Sequence, residues 1–262
     1  MALTRHEIPI LEYDDTYGAV ITPFQKTLNP LPSCAVFPFL GEEINRFAKE
    51  HSCECICELD SATKPFPIYR HYHLGHEICL CQAPVGAPAA TQILDFLIGN
   101  GVKNIISAGS CGALVHYPEN VFLIPTEALR CEGTSYHYLP PSRTVTPDTA
   151  ATEAIRQVMR ERGIPFENCK TWTTDGFYRE TEELVAYRKA EGFSVVEMEC
   201  AALFACARFR HARIGQLLYT ADSLANTDAY DARDWGRASV SIALQICLDA
   251  AIKLDKRENE EK

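Results

Sequence analysis

Two glutamates in the segment VVEMECAALF, residues 195–204, are the side chains best placed for chemistry. Glu197 and Glu199 are its only charged residues. Nearly every position from Met198 to Phe209 is apolar, which predicts a helix buried on most of its circumference. Backbone N–H groups and the helix dipole at its start favour an ionised carboxylate, so Glu199 would be a strong acceptor for hydroxyl groups. The alternative is that both glutamates only cap the helix.

Three further groups of candidate residues follow runs that are predicted to be strands. The glycine turn from Gly109 to Gly112 could bring backbone N–H groups to an anion or a sugar hydroxyl, with Ser110 adding a hydroxyl group. Phe177 offers a ring for stacking, although such an aromatic residue often belongs to the core. Asp222 offers a carboxylate, with a turn or a helix cap as the alternative.

Apolar strand-like runs alternate with helical ones along the chain. Strands are predicted at residues 33–39, 68–74, 77–82, 103–108, 120–126, 169–174 and 214–220, and helices at 42–51, 87–98, 149–162, 198–209 and 233–254. This alternation predicts an α/β protein with a single domain, in which helices flank a central mixed β-sheet. Ligands bind at the carboxyl ends of strands in such folds, which is where the candidate residues lie.

Composition excludes several classes of function. The chain has 262 residues, of which 47% are hydrophobic, enough for a substantial core. A net charge of −10, from 25 basic and 35 acidic residues, argues against a nucleic-acid partner. No apolar run approaches the roughly 18 residues of a membrane span, and MALTRHEIPI lacks the apolar core of a signal peptide. We expect a soluble, cytoplasmic protein with no membrane partner.

Twelve cysteines raise the question of a metal site or a disulfide framework. The densest cluster is Cys53, Cys55 and Cys57, followed by Cys79 and Cys81. Alternating cysteines on a strand point to one face, whereas structural zinc usually uses C-x2-C pairs. We therefore predict reduced thiols that serve as small core hydrophobes, and neither a metal nor an organic cofactor.

These segments together resemble the purine nucleoside phosphorylase and uridine phosphorylase superfamily, which also contains nucleosidases. The most specific motif is VVEMECAALF, supported by IISAGSCGALV, EGTSYHYLP, TTDGFYRET and YTADSL. The resemblance implies a catalytic domain at residues 33–254, an N-terminal extension at 1–32 and a charged tail at 255–262. It implies a small-molecule nucleoside as substrate and inorganic phosphate as a possible co-substrate.

The resemblance also implies a role for each candidate residue. Glu199 would hold the ribose hydroxyls, Met198 would pack on the sugar, and Ser110 matches a hydroxyl residue near phosphate or ribose. Phe177 matches an aromatic residue that stacks on the base, and Asp222 matches the acid that hydrogen-bonds the purine N7. Glu199 would stabilise positive charge on the sugar, and Asp222 would donate or share a proton with the departing base. Whether Asp222 carries that proton itself stays open.

The chain departs from the phosphorolytic members where phosphate would bind. Those members usually carry a G-D-P-x-R loop, whereas this chain has FPFLGEEIN, and Ser107 occupies the place of a second arginine. Without guanidinium groups, bidentate phosphate binding of the usual kind is not expected. Glu42 or Glu43 could instead activate water, as in nucleosidases. The phosphate or water site is expected at Gly41, Glu42, Gly109 and Ser110.

We predict phosphorolysis of a purine nucleoside, with hydrolysis as a close alternative and an inactive nucleoside-binding or storage protein as a third possibility. Uridine-specific members carry glutamine and arginine four and six residues after the aromatic that matches Phe177, where this chain has Thr181 and Glu183. Glu197 is predicted to serve the start of the helix. Three arginines could bind phosphate from another direction: Arg46, Arg143 and Arg179.

The resemblance further implies a homo-oligomer, either a dimer or a hexamer built from dimers. In such assemblies a neighbour's N-terminal histidine or arginine can complete the site. His6 or Arg5 could play that part in this chain.

Overall fold

Ten strands form one mixed sheet in the computed structural model, which describes residues 3–260, with side chains as far as residue 256. The strands are β1 Cys34–Val36, β2 Glu54–Asp60, β3 Pro65–His73, β4 His76–Cys81, β5 Asn104–Ala113, β6 Phe122–Cys131, β7 Thr144–Val145, β8 Phe166–Thr174, β9 Val195–Glu197 and β10 Arg213–Ser223. The α-helices are α1 Glu43–Glu50, α2 Ala87–Gly99, α3 Thr149–Glu161, α4 Glu182–Ala190, α5 Cys200–Phe209 and α6 Val240–Glu260. The predicted fold class, a mixed sheet flanked by helices, is confirmed.

Five of the strands close into a ring. Strand β5 pairs in parallel with β10 and antiparallel with β9. From β10 the ring continues antiparallel to β6, then in parallel to β8 and to β9. Strand β1 joins the ring at β5 and leads outward through β4 and β3 to β2. The carboxyl ends of β5 and β10 therefore lie side by side.

Helices cover both faces of the sheet. One cluster of buried residues includes Leu94 of α2 and Phe204 of α5, and another includes Ile155 of α3 and Leu248 of α6. The sequence sets the bounds of α3: the Asp148 carboxylate accepts a hydrogen bond from the Ala151 N–H, 2.8 Å away, at its start. The core thus fixes the sheet between two helical layers.

Strands β3, β5, β6, β8 and β10 extend by several residues beyond their predicted bounds, and the extensions of β5 and β10 change the setting of two candidate groups. The GSCG segment is the last part of β5 rather than a turn, because β10 pairs with it as far as Thr220. Strand β10 extends to Ser223, so Asp222 lies within a strand rather than after it. The register of the pairing shifts between Thr220 and Ser223. Such a bulge re-aims a side chain, here that of Asp222.

Two helices differ from the sequence prediction near the candidate site. Helix α5 begins at Cys200 rather than Met198, because Val195–Glu197 pairs with β5 and β8 as strand β9. Helix α4 was missed altogether. Its one buried residue is Val185, so it shows little hydrophobic periodicity.

The last helix is displaced along the chain relative to the prediction. Helix α6 begins at Val240 rather than at Arg233, whose positive φ of 50° does not fit a helix. It continues past the predicted end at Leu254 as far as Glu260. Within the described residues, we find no helix with the length and apolar character needed to cross a membrane.

The N-terminal segment lies against the end of α2. The Leu31 N–H donates to the carbonyl oxygen of Asn100, 2.8 Å away, and the Gln25 N–H donates to the Asn100 side chain at 2.9 Å. Arg5 and His6 are both exposed in the single chain. Their contribution to a neighbour's site stays a prediction.

The cysteine prediction is only partly right. All twelve cysteines are free, and Cys79 and Cys81 are buried as expected. Cys53 and Cys57 are half-buried and Cys55 is exposed, because they lie on or next to β2, the outermost strand of the sheet. The alternating cluster therefore contributes less to the core than its pattern predicts.

Candidate active site

A cavity of about 310 Å³ opens at the carboxyl ends of β5, β9 and β10. It brings together residues that lie more than a hundred positions apart in the sequence. Six of the eight predicted site residues line it: Gly109, Ser110, Phe177, Met198, Glu199 and Asp222. Ser110 is the one exposed position in β5.

Glu197 joins the end of β9 to the start of α5. Its Oε1 accepts hydrogen bonds from the hydroxyl groups of Thr171 and Thr173, at 3.1 and 2.6 Å. Its Oε2 accepts from the N–H groups of Glu199 and Cys200, both at 2.7 Å. Four donors satisfy this carboxylate, so Glu197 serves the helix start, as predicted.

Glu199 occupies the N-cap position of α5, yet its side chain points elsewhere. Its Oε1 accepts a hydrogen bond of 2.6 Å from the Gly86 N–H at the start of α2. Burial, followed by the negative charge of Glu197, raises the pKa of Glu199 to about 8. The sequence predicted an ionised group, but desolvation outweighs the N–H donors here. Glu199 is therefore an acid largely protonated at neutral pH in the isolated chain.

Two more carboxyl groups, those of Asp222 and Glu180, line the same cavity. Asp222 is 5% exposed and accepts a hydrogen bond from the Tyr230 hydroxyl. Burial raises the pKa of Asp222 despite that bond and the positive charge of Arg233. Glu180, which sequence reasoning missed, lies nearby, and burial followed by the charge of Asp222 raises the pKa of Glu180 to about 7. A proton is thus available from these two groups near neutral pH.

Two aromatic side chains border the same cavity. Phe177 is 41% exposed and packs edge-on against Tyr178, with ring centroids 5.0 Å apart. Trp235 is 45% exposed and also lines the cavity. Sequence reasoning missed Trp235 because it was placed inside the last predicted helix.

Gly112 allows the carboxylate of Asp222 to lie close to β5. A Cβ at position 112 would be 2.9 Å from Leu224 Cδ1, 3.0 Å from Val196 Cγ1 and 3.3 Å from Asp222 Oδ1. A side chain larger than hydrogen would therefore disturb the acid.

The first loop lies outside this cavity. Gly41 lines an adjacent cavity of about 570 Å³, which shares Phe39 and Val85 with the first. Glu42 is exposed, and its carboxylate accepts a hydrogen bond from the Asn45 side chain. Gly41 and Glu42 are thus not brought together with the other candidate residues in the single chain.

Ser107 of β5 and Gln216 of β10 are two buried, neutral polar residues on neighbouring strands at the site. They are register partners in the parallel pair of β5 and β10, so their side chains leave the same face. The Oγ of Ser107 and the Oε1 of Gln216 have no hydrogen-bond partner within the described part of the chain. Gln216 lines the cavity. A buried polar atom without a hydrogen-bond partner lowers the stability of the fold by about 1–3 kcal/mol unless a bound molecule forms a hydrogen bond with it.

Arginines and lysines are absent from the lining, as far as the described residues go. Of the three alternative phosphate arginines, Arg46 pairs with Glu43 and Arg143 pairs with Glu191. Arg179 is exposed near the cavity. The lining offers four carboxyl groups and no guanidinium: Glu180, Glu197, Glu199 and Asp222.

The sequence of this chain is similar to those of known enzymes that act on nucleosides. A family model described as "Phosphorylase superfamily" matches residues 33–253. A guanosine phosphorylase from Halorubrum lacusprofundi is 26% identical over 204 residues, which is 75% of this chain and 85% of that protein.

Solved structures of similar fold include enzymes named for two different reactions. An AMP nucleosidase from Bacteroides thetaiotaomicron has a TM-score of 0.70 at 22% identity, covering 87% of this chain and 90% of that one. A purine nucleoside phosphorylase from Toxoplasma gondii, in complex with immucillin-H, has a TM-score of 0.72 at 19% identity, covering 87% and 93%. At this identity the likeness concerns the fold.

Proposed function

Because the chain belongs to the phosphorylase superfamily and is an enzyme of that kind, we propose that it cleaves the N-ribosidic bond of a purine nucleoside. The observation that carries this proposal is the placement of Glu199, Phe177 and Asp222 around one cavity. A buried carboxyl, a partly exposed ring and a second buried acid line this one cavity. That arrangement matches a sugar linked to a planar base.

The two acids have separate tasks in the proposed reaction. Breaking the bond leaves positive charge on the ribose and negative charge on the base. Glu199, ionised on binding ribose hydroxyl donors, stabilises the sugar, and its bond to the Gly86 N–H fixes its orientation. Asp222, or Glu180 beside it, supplies a proton to the departing base.

Purine preference is supported by the base end of the cavity. Asp222 is buried and lines the cavity, where its carboxyl group would share a proton with a ring nitrogen such as the purine N7. Thr181 and Glu183 stand where the uridine-specific pattern has glutamine and arginine. A guanosine phosphorylase is among the relatives.

Inorganic phosphate is the first candidate for the nucleophile. The guanosine phosphorylase to which this chain is similar is, by its name, a phosphorylase. Ser110 presents an exposed hydroxyl to the cavity next to Gly109, where a bound oxyanion would find a donor.

Water is the second candidate, and a specific observation favours it. The lining has carboxyl groups but no cation among its described residues. The unpaired Oε1 of Gln216, which lines the cavity, suits a neutral molecule better than a phosphate dianion. The fold likeness to an AMP nucleosidase is compatible with this reaction.

Turnover with and without phosphate separates these candidates. Pure protein is incubated with inosine, guanosine, adenosine and uridine, and ribose and ribose 1-phosphate are identified by chromatography. Ribose 1-phosphate that forms only with phosphate supports phosphorolysis. Release of free ribose without phosphate would refute it and support hydrolysis. Cleavage of none of the four would contradict both, and faster cleavage of uridine would contradict the purine preference.

A further inference from the structure

Trp235 is held in an unusual backbone conformation at the edge of the cavity. Its φ is +57°, and those of Arg233 and Gly236 are +50° and +67°. A bulky residue adopts positive φ only at a cost in free energy, so surrounding contacts must impose it. Two of the six non-glycine residues with positive φ in the described part of the chain, Arg233 and Trp235, thus lie in this short segment.

Glu119, in the loop between β5 and β6, imposes this conformation. Its Oε1 accepts hydrogen bonds from the N–H groups of Asp234 and Gly236, at 3.0 and 2.8 Å. These two groups lie on either side of Trp235. One carboxylate oxygen therefore fixes the backbone on both sides of the ring.

Two more contacts fasten the same segments together. The Arg233 guanidinium donates to the carbonyl oxygen of Tyr117, 2.8 Å away. The Ser239 hydroxyl donates to the Asn120 side chain at 3.0 Å. Residues 117–120 thus brace the segment 233–239 at three points, with Glu119 in the middle.

The side chain of Trp235 is accessible at the cavity. It is 45% exposed, lines the cavity and has no ring contact within the part of the chain that the structure describes. Phe177 borders the same space and is 41% exposed. Exposed aromatic faces beside a cavity stack on planar ligands.

We infer that Trp235 stacks on the purine base and that Glu119 is the positioning residue that holds its ring in place. The inference rests on the proposed function and adds a second aromatic contact to that of Phe177. A bicyclic base covers more of an indole ring than a monocyclic one does, so Trp235 also strengthens the preference for purines.

Tryptophan fluorescence provides a direct test of stacking. The chain has two tryptophans, and Trp172 is buried at 1% exposure, so Trp235 is the one that a ligand can reach. Hypoxanthine, which is not consumed without a ribose donor, is titrated into wild type and Trp235→Phe. We expect quenching in wild type that is largely absent from the variant, with weaker quenching by uracil and none by ribose.

Activity of matched variants tests the two roles. Trp235→Ala should raise the KM for inosine about tenfold or more and change kcat less, since stacking aids binding. Glu119→Ala should also raise the KM for inosine and reduce the quenching of tryptophan fluorescence by hypoxanthine. Glu119→Gln keeps an oxygen acceptor and should recover most of both signals. Glu58→Ala, at an exposed position on β2, is the control for loss of a surface glutamate.

The fluorescence and KM measurements test the stacking of Trp235 and the role of Glu119, whereas wild-type turnover tests the proposed reaction. Equal quenching in wild type and Trp235→Phe, or an unchanged KM in Trp235→Ala, would overturn stacking while wild-type turnover upheld the proposed function. Equal defects in the alanine and glutamine variants of Glu119 would overturn its positioning role. A wild type that neither binds hypoxanthine by calorimetry nor cleaves a nucleoside would overturn both proposals.

Discussion

Glu197 and Glu199 lie two residues apart and have different roles: Glu197 accepts hydrogen bonds at the start of α5, whereas Glu199 is the proposed ribose ligand. We expect Glu199→Gln to lower kcat about 10²- to 10³-fold, since it removes the negative charge that would stabilise the sugar, with circular dichroism unchanged. Glu197→Gln should instead lower the melting temperature, because four donors surround that carboxylate. Near-normal turnover of Glu199→Gln would remove this residue from the site.

The raised pKa of Glu199 has a consequence for stability. Its folded-state pKa of about 8 lies above the ordinary value of 4.5, so the folded chain keeps a proton that the unfolded chain loses. Between these values the free energy of unfolding falls as pH rises, by up to about 1.4 kcal/mol per pH unit. Glu199→Gln lacks this dependence. Calorimetry should show its melting temperature gaining on wild type from about pH 5 to pH 8; a constant difference would refute the raised pKa.

Asp222 is expected to matter most when the leaving base needs a proton. Asp222→Asn should lower turnover of inosine about 100-fold or more. The same variant should lose much less activity on a riboside of 4-nitrophenol, because that leaving group departs without a proton. The two substrates are compared by their kcat/KM ratios between variant and wild type. Equal losses on both would argue against proton donation.

Site residues could be identified from the sequence where they lie in a short recognisable motif. Glu199 and Asp222 stood in short recognisable segments that end strands or begin helices. Trp235 could not be predicted, because its conformation depends on Glu119, which lies more than a hundred residues away. The pairing of Ser107 with Gln216 likewise depends on the register between β5 and β10, which cannot be read from the sequence.

The pairing of β5, β9 and β10 brings the candidate residues together at the scale of elements. We expect Gly112→Ala, at the end of β5, to displace Asp222 and the side chains of Leu224 and Val196. Such overpacking costs about 1–3 kcal/mol of stability, and kcat/KM should fall further than stability does. Thermal denaturation and kinetics are compared with Gly18→Ala, where a Cβ meets no atom within 4 Å. Unchanged kcat/KM would show that Asp222 tolerates the added methyl group.

Elements with a strong hydrophobic pattern were predicted close to their real bounds. The helix predicted at 87–98 is Ala87–Gly99, and that predicted at 149–162 is Thr149–Glu161. Helix α4, with one buried residue, gave no comparable signal. The glycines at the end of β5 predict a turn, whereas pairing with β10 extends the strand through them. Tertiary pairing overrode local preference there.

Arg5 and His6 are predicted to act between copies of the chain, so their role is tested in the whole assembly. If a neighbour's N-terminal segment completes the site, Arg5→Ala combined with His6→Ala should lower activity in every copy. Mixing this double variant with Glu199→Gln, after dissociation and reassembly, should restore part of the activity, since some sites then receive intact residues from both chains. Chromatography with light scattering establishes the oligomeric state. No recovery from a confirmed mixed oligomer would contradict the shared site.

The ring of five strands decides which parts of the molecule can move for a ligand to enter. A closed ring has no free edge, so spreading its strands would break ladder hydrogen bonds on two sides of each strand. The frame that carries Glu199 and Asp222 is therefore stiff. The segment 224–236 is joined to β10 through the isolated Ser223–Asp231 bridge. Ligand binding therefore need not separate the strands of the ring, so the positions of the two acids are set before a ligand arrives.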